Sequence, residues 1–309
     1  MILYTYKAQV TLLLQILPSI ALKKCFAMYG GSAINLFVRE IPRLSVDIDL
    51  TYLPIEDRLT TFKNIEAALL GVKEQLIKVI PGILITGPFE YTEQAKLFCN
   101  LQGVQVKVEV NTVMRGVIDK PVIRRLSTRA QEKFDQFCEM PIVSLGQLYG
   151  GKICAALDRQ HPRDLFDVKY MFESEGFTPQ IKQGFLFCLL SNKRPIHEIL
   201  NPTRIDQHTV LSNQFSGMTE ESFTYDEYDA IRTKLIQVIN QNLGKKDNDF
   251  LISFKEGLPD WNIDAFTDFR GFPAIQWKLQ NIQKLKQQNP QKHKIQLESL
   301  KRVLAKFRD

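Results

Sequence analysis

Between Leu44 and Thr51 apolar and polar residues alternate without a break: Leu44, Val46, Ile48 and Leu50 against Ser45, Asp47, Asp49 and Thr51. Successive side chains on a strand point to opposite faces, so the pattern predicts one face in a core and two neighbouring carboxylates on the other. Residues 104–111 repeat it, with Val104, Val106, Val108 and Val110 inward and Gln105, Lys107, Glu109 and Asn111 outward. The runs 83–87 and 95–102 read as further strands, the second joined to 104–113 through Gly103. Leu13, Ile16, Leu17 and Ile20 recur at helical spacing and predict an amphipathic helix over about residues 8–24. Residues 57–79 read as a second helix, and 121–140 as transitional. After Pro141 the pattern is helical to the end, broken at Pro162, Pro195, Pro202, Gly244, Pro259, Pro273 and Pro290. This order predicts an α+β chain of two domains: a mixed sheet with flanking helices over 1–140, and a helical domain over 141–309.

The length of 309 residues leaves room for both cores. Cys25, Cys99, Cys138, Cys154 and Cys188 are odd in number and form no CxxC pair, which excludes a disulfide framework or structural zinc site as the organising device. The apolar run 9–22 is interrupted by Gln15 and Pro18, lacks a cleavage site and is too short to span a bilayer, so a cytoplasmic protein without membrane attachment is expected. The formal charge of +6 is concentrated in one place. Residues 278–309 carry nine Lys and Arg against Glu298 and Asp309, a net +7, leaving the rest near neutral. Ile295, Leu297, Leu300, Val303, Leu304 and Phe307 predict an apolar stripe that docks this tail, with its cations outward. An outward row of cations suits nucleic-acid phosphates, and Arg124, Arg125 and Arg129 are candidates to extend it. Trp261 and Trp277 are read as packing residues, and no catalytic role is given to His161, His197, His208 or His293.

Two carboxylates two residues apart on a strand face repel each other unless a cation lies between them, and a divalent ion with oxygen ligands answers that need. If 104–111 lies beside 44–51, Glu109 joins Asp47 and Asp49, and three acids on adjacent strands suit two-metal phosphoryl transfer. An isolated D-x-D is more often a solvated strand face, so the surroundings decide. Fifteen residues before Asp47, Ser32 closes the triplet Gly30-Gly31-Ser32, where glycines admit a phosphate to the backbone and Ser32 adds a hydroxyl that could cap a helix. Further along, Lys152 and Arg159 fall on one helix face, and Asp164 and Asp167 open the next helix after Pro162. These four are either a salt-bridge network or a site in which Lys152 meets a triphosphate and Asp167 positions it.

The segments MYGGSAINLFVREIPRLSVDIDLTYLP (28–54) and LYGGKICAALDRQHPRDLFDV (148–168) together resemble the AbiEii/AbiGii toxin family of nucleotidyltransferases, a branch of the DNA polymerase β-like superfamily that includes the MenT toxins. The resemblance spans about residues 10–170. It implies a polymerase β-like nucleotidyltransferase sheet with Asp47 and Asp49 binding Mg²⁺ (or Mn²⁺), while Glu109 as third ligand and proton acceptor follows from the strand faces. It implies phosphate contacts for Ser32 and Ser45, nucleotide-binding roles for Arg43, Arg159 and Asp164, and a need for Lys152 and Asp167 in activity. The implied reaction moves a nucleotide from an NTP to an acceptor, in several relatives the 3′ end of tRNA, and such toxins are often encoded beside a cognate antitoxin. Two other readings stay open: a small-molecule nucleotidyltransferase of the aminoglycoside-modifying kind, and a non-catalytic nucleotide- or RNA-binding protein.

Overall fold

The alternation at 44–51 is realised at the centre of a seven-stranded sheet. The computed structural model describes residues 2–88 and 95–306, with side chains from Tyr6 onward. The chain divides into two units, residues 1–144 with 215–222, and residues 145–214 with 223–309.

The first unit opens with α1 (Ile2–Ala21), β1 (Phe26–Tyr29) and α2 (Gly30–Ala33), which runs into a π-helical turn over Ile34–Val38. β2 (Asp47–Tyr52), α3 (Arg58–Val79), β3 (Leu84–Thr86), β4 (Lys96–Leu101) and β5 (Val104–Asn111) follow, then β6 (Val122–Arg125), α4 (Thr128–Phe134) and β7 (Glu139–Ile142). Strand order is β3-β4-β5-β2-β1-β7-β6. β2 runs antiparallel to β1 and parallel to β5, while β4 and β5 form a hairpin turning at Gly103, where φ is +83°. Ile48, Leu50, Val106, Val108 and Val110 are buried together with Leu13, Ile16 and Leu17 of α1 and Leu69 and Val72 of α3. α1 begins earlier than its apolar stripe suggests, and the transitional stretch 121–140 in fact holds two strands and a helix. β6 carries no strand signal because it is an edge strand: Val122 and Ile123 are exposed and two arginines follow, so no alternation marks it.

Residues 215–222 lie far along the chain, inside the stretch read as helical, yet belong to this first unit. There Met218 accepts a hydrogen bond from the Leu44 amide at 2.6 Å, and the Thr219 hydroxyl donates to the Pro42 carbonyl at 2.8 Å. Glu220 takes Lys133 at 2.9 Å and Arg129 at 3.3 Å. This strap therefore fixes the run Pro42–Leu44 that leads into β2.

The second unit is helical: α5 (Leu145–Arg159), α6 (Pro162–Ser174), α7 (Pro179–Ser191), α8 (Ile196–Leu200), the short α9 (His208–Val210), α10 (Tyr225–Asn242), α11 (Lys245–Glu256), α12 (Asp264–Thr267), α13 (Pro273–Gln288) and α14 (Pro290–Ala305). α5 and α7 touch backbone to backbone. A methyl at Gly150 would stand 2.1 Å from the Gly184 carbonyl carbon, and one at Gly184 would stand 1.9 Å from the Gly146 oxygen. Trp261 packs against Phe250 and Phe254 in this unit, whereas Trp277 is half exposed.

α13 and α14 carry the basic tail. Leu300, Val303 and Leu304 are buried as the stripe requires, but Ile295 is exposed, because two residues past buried His293 is a 200° turn away from the docked face. Phe307, Arg308 and Asp309 lie outside the described residues. Lys284, Lys286, Lys292, Lys294, Arg302 and Lys306 are exposed. Lys278 is not part of that row. It is buried and donates to the carbonyls of Leu189, Asn192 and Arg194 at 3.1, 2.7 and 2.9 Å, closing the end of α7, and burial pushes its pKa down to about 7. No helix among the described residues is long and apolar enough to cross a membrane. The five cysteines are free thiols, four of them buried.

Candidate active site

In the first unit the site is assembled where β1 gives way to α2. Tyr29 pairs with Asp49 across β1 and β2, and Gly30 then turns the chain with φ at +79°, a conformation that side chains disfavour. The turn presses against the strand: a methyl at Gly30 would stand 2.4 Å from Asp49 Oδ2, and one at Gly31 would stand 2.7 Å from Arg43 Nη2 and 2.9 Å from Ser45 Oγ. Ser32 Oγ donates to the Asp47 carbonyl at 2.5 Å and lies 3.0 Å from Ser45 Oγ. Its hydroxyl is therefore spent on β2 and does not cap α2, whose N-cap is Tyr29 with no side-chain bond. Arg43 is buried, with Nη1 donating to the Leu44 carbonyl at 3.0 Å. Gly30, Gly31, Ser32, Arg43, Ser45, Asp47 and Asp49 thus meet in one place. Asp47 and Asp49 are half-buried while Ile48 and Leu50 between and after them are buried, as the alternation demands.

β5 lies beside β2 with Asp47 level with Lys107 and Asp49 level with Glu109. Glu109 is therefore next to the pair, but its two oxygens are held by Lys96 at 3.0 Å and Lys107 at 2.8 Å. Burial would raise the Glu109 carboxyl, but the two lysines outweigh it and hold it below the ordinary range, which makes it a weak base. For Lys107 burial works against the charge, and Glu109, Asp47 and Asp49 reverse that effect and raise its pKa. Among the described residues no group of three or more His, Cys, Asp and Glu side chains could hold a metal ion. The oxygen donors that fit a hard divalent cation are Asp47 and Asp49. Glu109, expected as a third ligand, is tied to lysines. Sequence alone assigns no role to Lys96 or Lys107, although Lys107 is two residues before Glu109 on the same face, a spacing that could have marked it.

The second unit holds the other cluster whole. Lys152 Nζ sits 3.0 Å from both Asp164 Oδ1 and Asp167 Oδ2, and all three side chains are buried. Arg159, half exposed, adds Nη2 to Asp164 Oδ1 at 3.0 Å. Burial alone would raise the Asp164 carboxyl, and Lys152 and Arg159 hold it well below the usual carboxylate range instead. The arrangement follows from local structure. Lys152 and Arg159 share a face of α5, and α6 restarts at Pro162 with His161 as its N-cap, accepting from the Arg163 amide at 3.1 Å. Between the helices Gln160 adopts φ of +50°. It is held there by Tyr228 Oη donating to its carbonyl at 2.7 Å, by Arg232 Nη1 on its Oε1 at 2.9 Å and by its own amide on the Thr203 carbonyl at 2.7 Å. This buried brace comes from α10, some seventy residues downstream, and nothing local in the sequence announces it.

A family model described as the nucleotidyl transferase AbiEii toxin of a type IV toxin–antitoxin system matches residues 11–281. Among solved structures, MenT4, a nucleotidyltransferase toxin from Mycobacterium tuberculosis H37Rv, matches with a TM-score of 0.59 at 12% identity, over 88% of this chain and 93% of that one. At that identity the likeness bears on the fold. No curated protein matches the chain.

Proposed function

We propose, for a chain that belongs to the AbiEii family of nucleotidyltransferase toxins of type IV toxin–antitoxin systems, that it transfers a nucleotide from an NTP to the 3′ end of an RNA, with tRNA as the acceptor and a divalent cation, Mg²⁺ or Mn²⁺, as cofactor. Nucleotidyl transfer itself and the toxin class follow from the family. The observation that carries the finer reading is the close approach of the glycine turn to the carboxylate strand, with Gly30 so near Asp49 that no side chain fits. A backbone turn bare of side chains beside two half-exposed carboxylates suits a triphosphate entering with its metal.

In this reading Asp47 and Asp49 hold the cation, which supplies charge neutralisation at the phosphates. Ser45 and Ser32 keep the turn and strand in register, and Arg43 braces both from below. The acceptor hydroxyl oxygen bonds to the α-phosphorus while the bond to the β-phosphate oxygen breaks, releasing pyrophosphate and a proton to water. Asp164 is held ionised by Lys152 and Arg159, Lys152 also meets Asp167, and the buried trio presents a fixed arrangement on which activity depends. The six exposed cations from Lys284 to Lys306 give the helical domain a sequence-independent hold on RNA phosphates. An RNA acceptor, cytoplasmic location and a cognate antitoxin encoded with the chain belong to the same reading.

The test is incubation of the protein with Mg²⁺, bulk tRNA and each α-phosphate-labelled NTP in turn, beside Asp47→Ala/Asp49→Ala. Label entering tRNA only with the unaltered protein is the expected result, and it also names the nucleotide. Transfer that survives in the double variant would sink the metal assignment. Label on no RNA, but on a small hydroxylated acceptor, would move the protein to the small-molecule reading.

A further inference from the structure

Two cross-strand rows of the sheet bring the unassigned charges together. Across β2, β5 and β4, Asp49 is level with Glu109 and Glu109 with Lys96. One step along, Asp47 is level with Lys107 and Lys107 with Phe98. All six side chains therefore project from the same face, the one opposite buried Ile48, Val108 and Leu97. Lys96 and Lys107 remain about 30% exposed, so their ammonium groups are reachable while Glu109 aims both.

Lys152, the cation that sequence places against the triphosphate, is differently situated. It is 7% exposed, and its Nζ is already 3.0 Å from each of two buried carboxylates in the second unit. An ammonium so committed has little left to offer an incoming phosphate.

We infer that Lys107, with Lys96 beside it and Glu109 as their positioning carboxylate, forms the binding site for the β- and γ-phosphates of the donor nucleotide and for the pyrophosphate it becomes. The inference rests on the nucleotidyltransferase site proposed above. Charge grows on the pyrophosphate as its bond to the α-phosphorus breaks, and two partly exposed ammonium groups, Lys107 one strand and Lys96 two strands from Asp47 and Asp49, answer that charge. Glu109 then acts through the lysines and does not serve as a third metal ligand. Phosphate oxygens and Glu109 compete for the same Nζ hydrogens, and three donors on each lysine allow both to be served.

The probe is inorganic pyrophosphate, common to every NTP donor, titrated calorimetrically into the full chain with Mg²⁺, beside Mn²⁺ binding followed by its paramagnetic resonance signal. Lys107→Met is expected to weaken pyrophosphate at least about tenfold, the worth of one charge-assisted hydrogen bond, Lys96→Met by less, and Lys107→Arg to restore most of it. Glu109→Gln is expected to keep full Mn²⁺ binding, whereas Asp47→Asn and Asp49→Asn lose it. Wild-type pyrophosphate affinity in a folded Lys107→Met variant overturns the inference. So does loss of Mn²⁺ in Glu109→Gln equal to that in Asp49→Asn. A wild-type protein that binds neither probe removes the parent reading, and this one with it, so the two failures are told apart.

Discussion

Gly30 decides whether the first cluster exists. Its φ of +79° and the 2.4 Å that would separate an added methyl from Asp49 Oδ2 act together, so Gly30→Ala must either strain the turn or push the carboxylate away. We expect a stability loss of roughly 1–3 kcal/mol with nucleotide transfer nearly abolished, read by thermal melting and the labelling assay on the same preparation. In the second unit the sign of a pH effect can be worked out for Asp164. Its folded-state pKa is depressed, so its contribution is fully present above the unfolded carboxylate value and is lost as pH falls toward the folded one. Urea midpoints should fall from about pH 4 downward, with a shallower fall in Asp164→Asn. Lys152→Met leaves two buried carboxylates without their ammonium and should cost about 3–5 kcal/mol at neutral pH. At this scale the sequence is most readable where chemistry is local. The face shared by Asp47 and Asp49 follows from alternation alone, and the i, i+3 pair Asp164 and Asp167 follows from the helix that opens after Pro162. Of the two partners of Glu109, Lys96 is not readable, since it reaches Glu109 only through the register of β4 on β5.

Elements differ in what their charges do, and the basic tail shows it. Lys278 closes the carbonyl end of α7, whereas Lys284 and Lys294 face solvent. Lys278→Met should destabilise by about 3 kcal/mol through three carbonyls left without a donor. Lys284→Met should shift stability by less than about 0.5 kcal/mol. Reversing Lys284, Lys286, Lys292 and Lys294 to Glu should instead weaken tRNA binding and lower its salt dependence. The log–log slope should fall by roughly 0.7 for each phosphate no longer neutralised. Deleting 278–309 cannot make the same distinction, because Leu300 and Leu304 would leave the core with it. The amphipathic pattern outlines the apolar side of the tail helices, and Ile295 marks where counting apolar residues outruns the geometry of the helix. Two elements, β6 and β7, leave no readable pattern: β6 is an edge strand whose exposed Val122 and Ile123 look like a loop, and β7 is a four-residue strand that contains Pro141.

At the scale of the whole molecule the informative feature is the strap 215–222, which no local pattern could have assigned because its partners lie from 87 to 177 residues earlier, Lys133 on Glu220 and Pro42 on Thr219 being the two extremes. A fragment of residues 1–144 should lack the Leu44–Met218 bond, so its Leu44 amide should exchange with solvent far faster than in the full chain, as hydrogen exchange would show. Equal protection in the two would mean the strap is an ornament. The strap also sets a timetable. Chains leave the ribosome N-terminus first, so Asp47, Asp49 and the glycine turn emerge before the piece that fixes Pro42–Leu44, whose Thr219 follows Pro42 by 177 positions. A nucleotidyltransferase toxin built this way stays unfinished while the intervening residues are made, and prematurely terminated products ending before residue 215 are born without the strap on Pro42–Leu44.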